Sequence, residues 1–590
     1  MKKLTLAKIL NLGLLLLFSS CVNNDYDING DIDFTITFGG SEFAIPGGST
    51  EEIKLTKVLD LENNDLIKTD ENGNYYLTQT GSPSNASVSI DAFTVSKPIF
   101  DPINTTVTGF DEEIQIKPEE NRELSSTIPD DFNTSFSIDG ENLPSEMKKL
   151  NFVDVNLLAT IHLTYSEQLM SEFECKDVKI QLPKFFVTNS GLVDANNVIN
   201  LTNTPIRDVT GLTIDIPITR IDMTELPEGE GYDPATQTLL VNGEITINGD
   251  VSIWTDNLYG EQIPSDVNIQ ANVSITDNTL NNNDINILAV NAVVQPDINL
   301  EIDPVTFDDL PDFLSDEEVV LDLDNPAIYF NAENYTPVRA IANGTLTSVY
   351  HNGTPSQSVN FTITEENAIA GEMHYCLSQK PIEGEGLTNI LIPGLSSLIE
   401  KIPDEITIDV DANAIEEDVT IEPGREYFIN TDYEVNVPFI FGPNLSVVYR
   451  DSINGWQEDI ADYELSGVLK LTADVANKIP LNVAFEAEPT TIDQYGNTIT
   501  LTGVSVEVKN EEGNNIIPAG TMQAATTTSI TVEMKETAEG SMARLDGLRF
   551  RAVATSENSS GAQLNEQQSI QLNNVKLKIP GGISGNFNDL

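Results

Sequence analysis

The amino-acid sequence predicts a mainly β protein, built of several β-sandwich-like or elongated antiparallel β-sheet modules in series with few short helices. Two patterns predict this fold class: a hydrophobic period of two in many segments, and frequent Asn-Gly and Asp-Gly pairs between them. Thr, Val and Ile are also plentiful, as strands prefer. A chain of 590 residues has room for roughly three or four such modules.

The alternation of apolar and polar residues is the main sign of strands. It puts apolar groups on one face of a sheet and polar groups on the other, which is typical of half-buried antiparallel strands. The alternating apolar residues are Leu212, Ile214, Ile216 and Ile218, then Ile245 with Ile247, Val251 with Ile253, and Ile298 with Leu300 and Ile302.

The glycine pairs predict tight turns, because Asn-Gly and Asp-Gly accept the positive φ angles that short hairpins need. Asn-Gly occurs at 72–73, 242–243, 248–249, 343–344, 352–353 and 454–455, and Asp-Gly at 139–140 and 546–547. Residues 244–254 form the clearest predicted hairpin, with Asn248-Gly249 at its tip.

Helical signals are few. Residues 393–402 carry Leu395, Leu398, Ile399 and Ile402 at helical spacing between two prolines, which predicts one short helix. Weaker candidates are 308–318 and 118–126. The apolar side of 393–402 fits either a groove for lipid or a closed core.

Weakly periodic acidic stretches place domain boundaries near residues 145, 300 and 440. The predicted segments are a signal peptide at 1–20, an acidic tether at 21–34, and four β domains. These β domains are 35–145, 146–300, 301–440, which includes the short helix, and 441–590.

The charge balance excludes some classes of partner. Asp and Glu number 93 against 30 Lys and Arg, so the formal net charge is −63. A nucleic-acid binder needs a basic surface to neutralise phosphates, so no nucleic-acid partner is expected.

The first twenty residues have the features of an export signal. Lys2, Lys3 and Lys8 are its positive part, and the apolar run 9–18 follows. About ten apolar residues are too few to cross a ~30 Å hydrocarbon layer as a helix, so we expect a leader that does not span the membrane.

The end of the leader, Phe-Ser-Ser-Cys at 18–21, resembles the lipobox of bacterial lipoproteins. The resemblance implies that Cys21 becomes the acylated N-terminus, so that the membrane is a partner through the lipid. The acidic segment that follows, with Asp25 and Asp27, is similar to the one that sends Bacteroidota lipoproteins to the cell surface. It implies anchoring in the outer membrane, with surface display favoured over a periplasmic position. An ordinary secretory leader is the alternative.

Catalytic motifs are scarce. The three histidines, His162, His351 and His374, are far apart in the sequence, and no nucleophile elbow, phosphate loop or zinc-protease motif occurs. A glycosidase needs only two carboxylates, but in so acidic a chain their abundance is no argument for one. We therefore expect a non-enzymatic protein without a cofactor.

Calcium is the cation that oxygen-rich sequences favour. Asp25, Asp27 and Asn29 match the opening of an EF-hand-type loop, but Ile36 stands where the bidentate glutamate belongs. Asp409 and Asp411 lie two residues apart, on one strand face. A solvated tether and a solvated strand face are the favoured interpretations, with weak Ca²⁺ binding as the alternative. The segment 70–74 is interpreted as a hairpin turn.

The two cysteines of the body leave alternatives open. Cys175 and Cys376 are in an exported, disulfide-permissive chain, so a bridge between them is one hypothesis. Period two around Tyr375 sends Glu372, His374 and Cys376 to the outer face, where they form a weak candidate set for a transition metal.

Ligand-binding candidates are the aromatic residues able to stack on a sugar. The chain has two tryptophans, Trp254 at the end of the predicted hairpin, with Tyr259 nearby, and Trp456 after the turn at 454–455. Packing in the core or against a turn is the favoured interpretation for both tryptophans.

Together these patterns predict a non-enzymatic, lipid-anchored cell-envelope protein that acts as a binding or adhesion module for a surface glycan or an envelope protein. The alternatives are a structural or transport accessory of an outer-membrane complex, including a lipid-handling one, and a hydrolase.

Overall fold

The computed structural model describes residues 42–58, 66–110, 121–166, 173–255, 263–279, 284–307, 310, 314, 316–351, 354–457, 467–556 and 561–580. Within these ranges nearly all regular structure is strand, so the mainly β prediction is confirmed. One short α-helix, α1 (Leu55–Val58), lies in the same ranges. No helix of the described part is long and apolar enough to cross a membrane.

The strands are given in chain order. The first group is β1 (Glu42–Gly48), β2 (Ile53–Lys54), β3 (Ile67–Thr69), β4 (Tyr75–Thr80), β5 (Ser84–Val88), β6 (Thr94–Ser96), β7 (Ile103–Thr108), β8 (Glu123–Thr127), β9 (Asn133–Gly140) and β10 (Met147–Tyr165). The second is β11 (Phe173–Gln181), β12 (Phe186–Thr188), β13 (Val198–Ile206), β14 (Leu212–Asp222), β15 (Gly231–Asp233), β16 (Thr238–Trp254), β17 (Asp266–Asp277), β18 (Asp284–Asn286), β19 (Ala289–Val294) and β20 (Asp297–Ile298). The third is β21 (Val305–Thr306), β22 (Ala327–Asn334), β23 (Ala340–Val349), β24 (Ser358–Ile363), β25 (Gly371–Ser378), β26 (Leu387–Leu391), β27 (Glu405–Ala414), β28 (Asp418–Ile421), β29 (Tyr427–Pro438) and β30 (Ser446–Ile453). The last is β31 (Val468–Asn477), β32 (Asn482–Ile492), β33 (Thr498–Thr500), β34 (Val504–Asn510), β35 (Ile516–Ile517), β36 (Thr526–Glu536), β37 (Gly547–Thr555) and β38 (Ser569–Pro580).

These strands form six sheets and the two-stranded ribbon β18-β6. Sheet A is β12-β14-β10-β17-β7, with β19 on β10 and β28 on β19, and sheet B is β13-β11-β16-β15, with β8 and β9 on β16. Sheet C is β20-β27-β23-β24 with β21 on β27, and sheet D is β26-β25-β22-β29-β4-β3 with β5 on β29. Sheet E is β1-β38-β31-β36-β34 with β2 on β38, and sheet F is β30-β37-β32-β33 with β35 on β32.

Strand pairing does not follow the boundaries predicted near residues 145, 300 and 440. In sheet D, β4 and β5 pair with β29, and in sheet A, β7 pairs with β17 while β19 pairs with β28. In sheet E, β1 pairs with β38 near the other end of the chain. The predicted segment 35–145 is therefore shared among several sheets, because a strand pairs with a matching free edge wherever the chain supplies one.

The apolar core has two parts. A large continuous cluster contains the inward side chains of sheets A to D, from Leu55 to Leu564. A smaller cluster lies between sheets E and F, around Val475, Val532 and Leu548. Sheets E and F thus enclose a core of their own at the C-terminal end of the chain.

The predicted alternation is confirmed in the long strands. Ile214, Ile216 and Ile218 of β14 are at most 4% exposed, whereas their neighbours Thr213 and Asp215 point to solvent. The 19 residues of β10 alternate in the same way along most of their length. The period of two therefore reported the inward faces correctly.

The predicted hairpin at 244–254 is wrong, because residues 238–254 form one continuous strand, β16. Asn248 pairs with Lys179 and Gly249 with Val178, in the middle of the ladder with β11. A Cβ on Gly249 would lie 2.0 Å from the carbonyl oxygen of Asp177, so the glycine permits close strand contact rather than a chain reversal.

Two further Asn-Gly pairs also lie inside strands, at 242–243 in β16 and 343–344 in β23. Each glycine faces a phenylalanine of the next strand: Gly243 pairs with Phe136, and Gly344 pairs with Phe361. A Cβ would lie 2.3 Å from the Phe136 ring or 2.1 Å from the Phe361 ring. The aromatic ring covers the glycine, as in aromatic rescue of strand glycines.

The segments with helical signals differ from one another in the structure. Residues Leu395–Ile399 form a short 3₁₀ helix, and its Leu395, Leu398 and Ile399 are buried in the large cluster. The closed-core interpretation of 393–402 is therefore confirmed. The candidate at 118–126 is wrong in its described part, which belongs to β8, and most of 308–318 lies outside the described residues.

Gly344→Ala is expected to lower the free energy of unfolding by about 1–3 kcal/mol, because the added methyl group overpacks against the buried Phe361 ring. Urea denaturation followed by circular dichroism measures the change. Gly191→Ala is the matched control, since a Cβ there meets nothing within 4 Å. Equal stability of the two variants would contradict the packing role of Gly344.

Candidate functional site

A polar cleft of about 460 Å³ opens on sheet D. Three adjacent strands of that sheet, β25, β22 and β29, form its floor, and the segment that begins β5 forms one side. Its lining residues are Pro83, Ser84, Asn85, Asn331, Ala332, Glu333, Glu372, Met373, His374, Asn430, Thr431 and Asp432. We call this feature the sheet D cleft.

Strand register arranges the polar side chains of the cleft in two rows. Asn331 of β22 is opposite His374 on one side and Asp432 on the other. Two residues further along each strand, Glu333 is opposite Glu372 and Asn430. Because alternate residues of a strand share a face, both rows point to the same side of the sheet.

Hydrogen bonds hold the first row in place. The Asn331 amide Nδ2 donates to Asp432 Oδ1 at 2.7 Å, and its Oδ1 lies 2.8 Å from His374 Nδ1. Since Nδ2 of Asn331 is the donor to Asp432, its Oδ1 must accept, and His374 donates from Nδ1. His374 Nε2 lies 3.5 Å from Glu372 Oε1.

The second row is joined through amide groups. Asn85 donates to Asn430 Oδ1 at 2.7 Å, and Asn430 donates to Glu333 Oε2 at 3.4 Å. The Tyr335 hydroxyl also donates to Glu333 Oε2, at 2.9 Å. This hydrogen bond and the nearby carboxylate charge raise the pKa of Tyr335.

The cleft places like charges together. Glu333 and Glu372 occupy directly opposed positions of neighbouring strands, an arrangement that costs stability. The Glu372 side chain is 72% exposed and the Asp432 side chain is also on the exposed face. Carboxylates can only accept hydrogen bonds, so this face offers acceptors to a ligand that brings hydroxyl or amino donors.

Two exposed aromatic side chains lie at the end of the same strands. Tyr335 is 62% exposed and Phe428 is 39% exposed, and the Tyr335 backbone N–H donates to the Phe428 carbonyl at 3.0 Å. Phe428 has the same parity in β29 as Asn430 and Asp432. Two exposed aromatic side chains therefore stand beside the second row of the cleft.

The sequence predicted only part of this site. Glu372 and His374 point outward as predicted. The prediction that Cys376 is also exposed on this face is wrong, because Cys376 is 0% exposed. The C-terminal half of β25 is covered on both faces, so the predicted set of three possible metal ligands does not form. Asn331, Glu333, Asp432 and Tyr335 were missed, although the alternation around Phe330 and Tyr433 marks their outward parity.

Among the described residues, no group of three or more His, Cys, Asp or Glu side chains is arranged to hold a metal ion. Asp409 and Asp411 are exposed on one face of β27, as their spacing predicts. Their register partners are Thr345 and Asn343, and Asn413 donates to Asp411 Oδ1 at 3.3 Å. Cys21, Asp25, Asp27, Asn29 and Tyr259 lie outside the described residues.

The two body cysteines are free and buried, so the disulfide hypothesis is wrong. Cys175 is in sheet B and Cys376 is in sheet D. Burial raises the pKa of the Cys175 thiol to about 12, with a further contribution from Glu174, and burial also raises the pKa of Cys376. Both thiols are therefore protected from oxidation and alkylation in the folded protein.

The tryptophans have packing roles. Trp456 is 4% exposed and belongs to the cluster between sheets E and F, which confirms the packing interpretation and removes it as a sugar platform. Trp254 is half-buried, and its indole N–H donates to Glu174 Oε1 at 2.9 Å. Glu174 is 7% exposed, so this bond partners a buried carboxylate.

Trp254→Phe is expected to lower the free energy of unfolding by about 1.5–3 kcal/mol, because the Glu174 carboxylate loses a donor while staying buried. Urea denaturation measures this change. Phe485→Leu, at a partly buried ring in sheet F, serves as a control for general loss of aromatic packing. An unchanged free energy of unfolding in Trp254→Phe would mean that the hydrogen bond from Trp254 to Glu174 does not stabilise the fold.

No protein-family model and no curated protein matches this chain. Among solved structures, a protein of Parabacteroides distasonis described as secreted is 17% identical, with a TM-score of 0.34 over 50% of this chain and 83% of its own. A structure of infectious bursal disease virus is 8% identical with a TM-score of 0.11, over 87% of this chain and 81% of its own. At TM-scores this low, neither structure indicates a fold or a function for this chain.

Proposed function

We propose that this chain is a non-enzymatic binding module of the bacterial cell envelope, and that its sheet D cleft holds a neutral glycan. The observation that carries the proposal is that one face of sheet D has two rows of carboxylate and amide side chains, with exposed aromatic side chains beside them. A volume of about 460 Å³ is in the ordinary range of small-molecule sites.

The chemistry of the cleft fits sugar hydroxyl groups. A hydroxyl donates one hydrogen bond and accepts others, so it can donate to Asp432 or Glu333 while accepting from an amide. Tyr335 supplies a ring face for the apolar side of a sugar, and its hydroxyl is already held by Glu333. The hydrogen bonds within each row pre-organise the side chains, which reduces the entropy lost on binding.

Charge favours a neutral ligand. Three carboxylates, Glu333, Glu372 and Asp432, face one histidine in the cleft, and the whole chain carries a formal charge of −63. An anionic ligand such as a phosphate or a sulfated sugar would meet repulsion from both. A hydroxyl-rich neutral ligand carries no charge that these carboxylates repel, and its hydroxyl groups can donate to them.

The envelope location rests on the N-terminal sequence. The resemblance of residues 18–21 to a lipobox supports acylation of Cys21, and the acidic residues that follow support outward display. The lipid-handling alternative loses support, because Leu395, Leu398 and Ile399 pack in the core and leave no open groove at 393–402. The hydrolase alternative would use Glu333 and Glu372 as its carboxylate pair.

A glycan array tests the proposal with purified Cys21→Ala protein, and calorimetry measures the affinity for each sugar that binds. Asn331→Ala, Asp432→Ala and Tyr335→Ala are each expected to weaken binding by about tenfold or more, since each removes a hydrogen bond or a ring contact at the cleft. Asp409→Ala and Tyr495→Ala are matched controls on exposed residues elsewhere and are expected to bind normally.

Loss of binding in the controls as well, or no bound glycan at all, would contradict the proposed ligand class. Product analysis of the same mixtures separates binding from catalysis. Hydrolysis that disappears in Glu333→Gln would establish the hydrolase alternative instead.

Surface display predicts that protease added to intact cells digests the wild-type protein. The reason is that surface display leaves the β body, which acylated Cys21 anchors, outside the permeability barrier. Immunoblotting of treated cells measures digestion, with a periplasmic protein as the barrier control. Full protection of the chain while the control stays intact would place it on the periplasmic side.

A further inference from the structure

The hairpin formed by β32 and β33 ends in an exposed apolar tip. Ile492 is 43% exposed and Ile499 is 45% exposed, and Tyr495, in the turn between them, is 80% exposed. We call these three residues the hairpin tip. Single exposed apolar side chains are ordinary on a protein surface, but three of them around one turn are suited to contact with a partner or a lipid.

The turn directs its charge inward and its tyrosine outward. The Asp493 carboxylate accepts from the backbone N–H groups of Tyr495 and Asn497, both at 2.8 Å, and from Asn497 Nδ2 at 3.2 Å. The single acidic group of the turn is therefore partnered within the turn. Tyr495 is left as the outermost large side chain.

The hairpin tip is apolar on both of its faces. Ile492 is opposite Thr498, and Thr491 is opposite Ile499, so the two isoleucines belong to opposite faces of the hairpin. A flat protein surface can cover only one of these faces. A lipid layer surrounds an inserted tip and covers both.

The tip is at the end of the C-terminal sandwich where the N-terminal strand begins. Glu42 pairs with Pro580, and Lys578 pairs with Lys470 near the start of β31. The chain runs along β31 to Asn477, turns, and returns through the 11 residues of β32. The end of β32 and the turn at 493–497 therefore lie at the same end of the sandwich as the start of β1.

We propose that the hairpin tip contacts the lipid surface in which Cys21 is anchored, so that the protein is held to the membrane at two points. This inference rests on the proposed acylation of Cys21. Glu42 is 21 positions after Cys21, a separation that an extended chain spans with at most about 75 Å, so the tether allows the edge that carries the tip to reach the bilayer. Because the tip has aliphatic groups and a tyrosine but no basic residue, its partner is the lipid interface itself rather than anionic headgroups.

The test uses the chain that begins at Cys21, coupled through that thiol to a maleimide lipid in phosphatidylcholine vesicles. Cys175 and Cys376 are 1% and 0% exposed, so coupling is directed to Cys21. Chemical coupling does not depend on acylation in the cell, so failure of the proposed anchoring and failure of the tip contact are separate outcomes.

Tyr495→Trp reports the contact by quenching with brominated phosphatidylcholine, after subtraction of the parent protein's signal. Met522→Trp is the control, because Met522 is also exposed but lies near Gly520, which donates to Ile479 at the opposite end of the sandwich. We expect Tyr495→Trp to be quenched about twofold or more beyond Met522→Trp, and Ile492→Ser with Ile499→Ser to remove the difference. Equal quenching at both positions, or a difference that survives the double substitution, would overturn the proposal.

Discussion

Backbone pairing between strands that are distant in the chain is the interaction on which the rest of this structure depends. The strand β29 shows it most clearly, because it bonds β22 on one edge and both β4 and β5 on the other. These strands are separated by up to several hundred residues, and closing such loops costs entropy that only the completed ladder and core repay. The β1–β38 pair extends the same constraint to the two ends of the described chain.

The sheet D cleft is a direct consequence of this pairing. Asn331 meets His374 and Asp432 because three strands align in one register, and a shift by one residue would turn every one of these side chains to the other face. Register also sets Glu333 against Glu372, and this pairing of like charges costs stability. The cleft therefore keeps acceptors close together on an exposed face, which is the arrangement on which the proposed glycan site depends.

The Asn-Gly pairs show where the local sequence decides the backbone conformation and where it does not. The segment 70–74 is the turn that the sequence predicts, since the Asp70 carboxylate accepts from the backbone of Asn72 and Asn74 within the turn itself. The turn at 493–497 repeats this pattern. Asn248-Gly249 has the same composition as a hairpin turn and Gly249 has a φ of +120°, but the pair lies inside β16, because the pairing with β11 continues on both sides of it. A turn whose own side chain bonds its backbone can be predicted from the local sequence. The role of a glycine that faces a neighbouring strand cannot, because that strand is distant in the sequence.

The sequence by itself determined the β class and the inward faces of the long strands, because both follow from a period of two that neighbouring residues set. It also carries the expected lipid anchor at Cys21, which no contact in the described body decides. Tertiary structure alone decided which strands are neighbours, and with them the cleft and the burial of Cys376. The physical reason is that register and neighbours depend on the burial and pairing of whole segments summed over the fold, to which each local pattern contributes only a small part.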